Sequence, residues 1–233
     1  MIVQSIEDAR AAVAGGADRL EVVRDIDRRG LTPDAALVRA ILSETSVPLR
    51  IMIRESDGFS VSGATEVSTL QRAMETFAAL PIDGIVIGFA RGPALDLDLT
   101  RAVLAIAPHV LATFHHAFDE AADPFSALDA LTSVPQIDRV LTAGGGGAWT
   151  SRCSRLAEYV ARAEPGLTIL AGGGVDDEVL GALAASGVVR EAHVGRAARE
   201  PQLRAAPVSV AAVRRLRQRC VTSSRRRTDG GLR

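Results

Sequence analysis

Eight times along this chain of 233 residues, a short run rich in Val and Ile gives way to a longer amphipathic stretch rich in Ala and Leu. That alternation is the pattern of parallel strands joined by crossover helices. It predicts strands near 1–3, 18–23, 48–53, 83–87, 110–114, 137–141, 167–171 and 190–194. The helices between them fall near 5–14, 33–44, 65–79, 98–107, 123–132, 149–163, 176–186 and 208–218. Thr32-Pro33 and Asp123-Pro124 each place a proline at a first helical position, and Asp176 and Asp177 suit the positive end of the seventh helix. Small or turn-forming residues lead into several strands, as in Gly16-Ala17-Asp18 and Pro81-Ile82-Asp83.

Units of about 29 residues are short but ordinary for a barrel of eight β/α repeats, which typically spans roughly 250 residues. A doubly wound open sheet would use the same alternation, but it usually carries Gly-x-Gly-x-x-Gly after its first strand, and this chain does not. The expected fold is therefore α/β, a single (β/α)8 TIM barrel over residues 1–218, followed by an Arg-rich, disordered tail over 219–233. Met1-Ile2-Val3 makes a short first strand: either that stave is ragged, or the recorded start lies a few codons late.

No apolar run approaches the roughly 18 residues of a membrane span, and no basic-then-apolar leader opens the chain. A cytoplasmic location and no membrane partner are expected. The cysteines, Cys153 and Cys220, are far apart and in no metal or disulfide pattern. Arginines 214, 215, 217, 219, 225, 226, 227 and 233 concentrate positive charge at the C-terminus, but no aromatic or Gly-rich motif accompanies them, so no nucleic-acid partner is expected. All 27 basic residues are arginine. Arginine does not deprotonate, so Schiff-base chemistry of the aldolase or pyridoxal-phosphate kind is excluded unless the N-terminal amine serves.

In a β/α barrel the chemistry sits where strands end. Those positions here hold Glu21 and Arg24, Arg54, Gly88, then His115, His116 and Asp119, then Thr142, Gly172 to Gly174, and His193. His115 is the leading acid or base, because imidazole titrates near neutrality; a purely structural histidine is the plain alternative. His193 has the same two readings, whereas His116 and His109 read as structural or exposed. Glu21 either orients a histidine, acts as base, or pairs with Arg54. Gly172, Gly173 and Gly174, with Gly195 and Arg196 after the last strand, suit an anion cradle of backbone N–H groups. Turn geometry alone also calls for such glycines.

Taken in order, these stretches resemble the copper homeostasis protein CutC family. The residues that carry the resemblance are Gly15-Gly16-Ala17-Asp18-Arg19-Leu20-Glu21-Val22, Gly30-Leu31-Thr32-Pro33, Met52-Ile53-Arg54 and Asp83-Gly84-Ile85-Val86-Ile87-Gly88. Further on come Thr113-Phe114-His115, Ala117-Phe118-Asp119, Asp123-Pro124-Phe125, Arg139-Val140-Leu141-Thr142 and Ala171-Gly172-Gly173-Gly174-Val175. The resemblance runs from about residue 3 to 195. It implies a TIM barrel, a cytoplasmic homodimer or higher homo-oligomer, and a nominal role in copper tolerance, with copper as the implied ion. Where family members usually carry cysteines this chain has Ile2, Val23 and Ser60; an arginine usual after the fifth-strand histidine is His116, and a glutamate usual early in strand one falls before Met1. Soft Cu(I) prefers thiolate and thioether ligands, so a copper site built on those cysteines does not transfer.

Two functions follow, and whether the chain is an enzyme stays open between them. One is a CutC-like role in copper homeostasis. The other is an isomerase or lyase acting on a small anionic or phosphorylated metabolite. In it Arg54 clamps the anion, His115 moves the proton, Glu21 or Asp119 orients it, and Gly172, Gly173, Gly174 and Gly195 hold a phosphate. A scaffold without chemistry is disfavoured, because polar groups gather at one end of the barrel.

Overall fold

The structure, a computed structural model, describes residues 1–228, with side chains described as far as Cys220. Eight parallel strands curl into one sheet in chain order: β1 (Ile2–Val3), β2 (Leu20–Val22), β3 (Leu49–Met52), β4 (Gly84–Ile87), β5 (Ala112–Phe114), β6 (Ile137–Thr142), β7 (Thr168–Ala171) and β8 (Glu191–Ala192). After each comes a helix: α1 (Ile6–Gly15), α2 (Ala35–Glu44), α3 (Gly63–Ala78), α4 (Leu97–Leu104), α5 (Pro124–Thr132), α6 (Trp149–Ala163), α7 (Asp177–Ser186) and α8 (Val210–Thr228). The expected β/α barrel is the observed fold. The last helix runs past its expected end near 218, into the stretch expected to be a disordered tail; residues 229–233 of that stretch lie outside the described residues.

Strand alternation sorts the side chains. Val3, Leu20, Val22, Ile51, Ile85, Ile87 and Phe114 turn outward into one large apolar core beneath the helices. Their in-between neighbours turn into the barrel, where Ile2, Val23, Ile26, Met52 and Val86 form a separate small apolar cluster. Above and below that cluster the interior is polar.

At the N-terminal ends of the strands the interior is closed by a circuit of ion pairs. Arg19 meets Asp83 at 3.3 Å and Glu191 at 2.8 Å, and Arg50 meets Asp83 at 2.8 Å and Asp138 at 2.6 Å. Arg139 completes it, pairing with Asp138 and, at 2.9 Å, with Glu191. Each guanidinium faces two carboxylates and each carboxylate two guanidiniums, which is how buried Arg50 is kept charged without an uncompensated cation in the core.

The short first stave expected from the sequence is two residues long, and its neighbour across the seam, β8, is equally short. The seam is held by the Ile2 N–H donating to the Val194 carbonyl at 3.2 Å and by Arg199, which is fully buried. The Arg199 guanidinium donates to the Ile2 carbonyl at 3.3 Å and to Asp8 of α1 at 2.9 Å, and Asp8 also accepts the Val208 N–H at 3.0 Å. One helix start departs from expectation. α2 begins at Ala35 with Asp34 as its cap, so Pro33 precedes the helix. The Thr32 hydroxyl is engaged elsewhere, donating to the Arg54 carbonyl at 2.9 Å. α5 does start on Pro124, behind the Asp123 cap.

Candidate functional site

The C-terminal ends of the strands surround a cavity of about 480 Å³. Of the residues singled out from the sequence, Glu21, Arg54, His115, Asp119, His193, Gly173, Gly174 and Gly195 line it. Gly172 stands behind them: its N–H continues the ladder to the Thr142 carbonyl at 2.8 Å, and a Cβ there would fall 2.5 Å from Leu141. The floor is apolar, with Ile2, Met52 and Leu141.

Arg54 follows β3 and is held by the hairpin-like loop after β2. Thr32 clasps the Arg54 backbone with its N–H at 2.8 Å and its hydroxyl, and the Arg54 side chain is buried. The guanidinium lies over the Phe59 ring at 5.2 Å and donates to main-chain carbonyls of Arg29, Gly30, Asp57 and Gly58. Among the described residues no carboxylate lies within ion-pairing distance of it. Burial, then the nearby Arg29, pulls its pKa below the usual arginine value. Carbonyl dipoles soften the charge but do not neutralise it.

His115 ends β5 deep in the site. Gly88 makes room for its ring, since a Cβ there would fall 2.6 Å from Nδ1. Nδ1 accepts the Ala117 N–H at 3.1 Å, which leaves the proton of the neutral ring on Nε2. Nε2 is buried and has no hydrogen-bond partner. Burial, reinforced by Arg54 and His116, pushes the pKa down to about 3, so the ring is neutral at physiological pH.

Glu21 and His193 meet from β2 and the end of β8, with the carboxylate 3.6 Å from Nδ1. The ion pair of Glu21 with Arg54, left open by the sequence, is thus replaced by a contact with a histidine. Burial raises the Glu21 pKa against the opposing pull of the Met1 ammonium and His116. It lowers that of His193 well below the ordinary value, with the Met1 terminus and His116 adding to the effect.

Sequence reasoning missed a second pair. His116, read as structural, lines the cavity, with its Nδ1 2.7 Å from Asp119. Asp119 is anchored by the Thr142 hydroxyl at 2.5 Å and the Ala143 N–H at 3.0 Å. Burial opposes ionisation of Asp119, but the hydrogen bond from His116 leads the contacts that keep its pKa below the usual range. The three-residue spacing of His116 and Asp119 was visible, but their short 3₁₀ turn was not. Also missed were Arg29, Phe59 and Arg204, all on loops. The glycine loop after β7 takes positive φ at Gly173 and Gly174, as a chain without a Cβ can. The carbonyls of Gly172 and Gly173 accept from Arg152, and the α7 N-terminus is capped by Asp176.

Comparison with known proteins places the chain in a family. The model of the CutC family matches residues 1–198. A family protein CutC from Xanthomonas campestris pv. campestris is 35% identical over 192 residues, which cover 81% of this chain and 79% of the relative. The human copper homeostasis protein cutC homolog is 28% identical over 179 residues, 76% of this chain and 65% of the relative. Among solved structures, the putative copper homeostasis protein CutC from Streptococcus agalactiae superposes with a TM-score of 0.76 at 20% identity, covering 83% of this chain and 95% of its own. Orotidine 5'-phosphate decarboxylase from Pyrococcus horikoshii, at TM-score 0.61 and 16% identity, shares the fold alone.

Proposed function

The chain belongs to the CutC family, and we propose that it works as a proton-moving enzyme, of isomerase or lyase type, on a small anionic metabolite held at the barrel rim. The observation that carries this reading is Arg54, a buried cation lining the cavity that makes no ion pair among the described residues. A buried charge calls for a counter-charge, and a bound anion supplies it. Gly173, Gly174 and Gly195 border the same space and fit a supporting role in anion binding.

Glu21 is the proton acceptor in this scheme. Its raised pKa brings a carboxylate closer to the range where it both takes and returns a proton near neutral pH. The C–H proton passes to Glu21, the electron pair moves onto an adjacent carbonyl oxygen, and the His115 Nε2–H donates to that oxygen as charge grows there. His193 holds Glu21 in position, and His116, oriented by Asp119, is placed to return a proton on the other side of the mouth. The cytoplasmic location and self-association expected from the family belong to the same reading.

The test has two stages. Short carboxylates and sugar phosphates are screened for stabilisation of the protein; at one hundred times Kd an anion adds about 2.7 kcal/mol, enough for several degrees in Tm. Binders are then followed by NMR in D2O for exchange of a C–H proton, which the wild type catalyses and Glu21→Gln does not. A screen in which no anion stabilises the protein would sink the proposal.

The names of the relatives suggest copper, and the donors here do not fit a thiolate site for it. Cys153 and Cys220 lie on α6 and α8 and do not line the rim cavity, and among the described residues no group of three His, Cys, Asp or Glu is arranged to hold a metal ion. Titration of the reduced protein with Cu(I) against a competing chelator, without oxygen, is expected to show no tight stoichiometric site. Tight binding would restore copper through the softer donors Met52, His115 and His193.

A further inference from the structure

The charges around the cavity mouth are not evenly spread. Arg29 and Arg54 stand on the wall made by the loops after β2 and β3, and Arg196 and Arg204 on the wall made by the loop after β8. None of these four arginines makes an ion pair among the described residues. Arginines with a carboxylate in reach take it, as Arg10 does with Glu44 at 2.7 Å and, on the same loops as Arg29 and Arg54, Arg24 with Glu55 at 2.8 Å and Arg28 with Asp57 at 2.7 Å. Of the carboxylates that line the cavity, Glu21 faces His193, and Asp119, Glu120 and Asp176 follow β5 and β7; Asp25, Glu55 and Asp57, on the loops after β2 and β3, are held by Arg24 and Arg28. Asp119 is bound to His116 and Thr142, and Asp176 caps α7. Two groups of arginines therefore line the cavity, one after β2 and β3 and one after β8, and the Glu21–His193 pair joins β2 to the end of β8.

We propose that the natural ligand carries two separate anionic groups, one taken by Arg54 with Arg29 and the other by Arg196 with Arg204, so that its central carbon lies over Glu21. The proposal rests on the anion-binding reading above and narrows it to short dicarboxylates or phosphorylated carboxylic acids. Three features support it. Arg54 needs an anion on its own wall because it is buried. A second anion there would repel the first, so it goes to the other group of arginines, after β8. The orphaned His115 Nε2–H is left for an uncharged or partly charged oxygen between them. Bidentate guanidinium contacts suit both carboxylate and phosphate ends.

The test is calorimetric titration at constant ionic strength with acetate and methyl phosphate as single anions, and succinate and phosphoglycolate as paired ones. A paired anion is expected to bind at least about tenfold more tightly than either single one. In Arg196→Gln/Arg204→Gln, both exposed positions, that advantage should disappear while the affinity for methyl phosphate stays unchanged. Equal affinities for single and paired anions in the wild type, or an advantage that survives the double substitution, would overturn the two-anion assignment and leave the anion site standing. Failure of all four probes to bind would overturn both.

Discussion

His115 shows how one side chain is held ready for a task by what surrounds it. Its Nδ1 is occupied by a backbone N–H, its ring lies against Gly88 and Phe59, and its Nε2 proton has no partner. Such a ring is a hydrogen-bond donor rather than a base, which moves the proton-accepting role proposed here to Glu21. The burial that makes it neutral carries a cost in acid. In the unfolded chain imidazole protonates near pH 6.5, and in the folded chain only near 3. Above 6.5 the two states are alike; from there down to about 3 the unfolded chain takes up a proton that the folded chain refuses. Stability attributable to His115 should fall by up to about 1.4 kcal/mol per pH unit across that window. His193 acts in the same direction, whereas Glu21, with its pKa raised, acts oppositely. Thermal unfolding of wild type and His115→Asn between pH 7.5 and 4.5 isolates the share of His115. The wild type should show the steeper acid loss, and parallel curves would mean that His115 is not buried neutral.

At the scale of elements, the weakest joint is the seam between β1 and β8. Two strands of two residues each leave little ladder to close the barrel, so closure passes to the buried Asp8–Arg199 pair between α1 and the loop before α8. Replacing Asp8 by Asn keeps most of the shape but leaves the Arg199 guanidinium buried without its counter-charge. Breaking a buried pair on one side costs about 3–5 kcal/mol, and a drop of that order in denaturant unfolding is expected for Asp8→Asn. A loss below about 1 kcal/mol would show that the ladder bond from Ile2 holds the seam alone. The sequence made the elements legible because alternation and helix-entry signals are local: the eight strands, the short first stave, the start of α5 at Pro124 and the acidic start of α7 all follow from neighbours in the chain. It also marked Glu21, Arg54, His115 and His193 as strand-end residues. It could not say which of them touch. Whether Glu21 faces Arg54 or His193 depends on register around a closed barrel.

Over the whole molecule, the two ends of the barrel do different work, and the inner apolar cluster of Ile2, Met52 and Val86 separates them. The N-terminal end is charge-balanced: three arginines and three acids alternate in a closed circuit. At the C-terminal end the charges are separated instead: Arg29, Arg54, Arg196 and Arg204 line the cavity and make no ion pair among the described residues. An end whose charges are already paired has little to offer a ligand, whereas at the rim loop carbonyls hold Arg54 in place of a counter-charge. This division predicts that stability and binding respond to different substitutions. Asp138→Asn removes one of the two carboxylates facing buried Arg50 and should destabilise the fold by about 3 kcal/mol. Its affinity for methyl phosphate at the rim should stay within about twofold of the wild type, because sites this far apart with no shared partner behave additively. Unfolding curves and phosphate titrations on the same preparation measure both. If Asp138→Asn weakened rim binding as much as it weakened the fold, the apolar cluster would be a relay rather than a partition. The bottom circuit would then belong to the functional site.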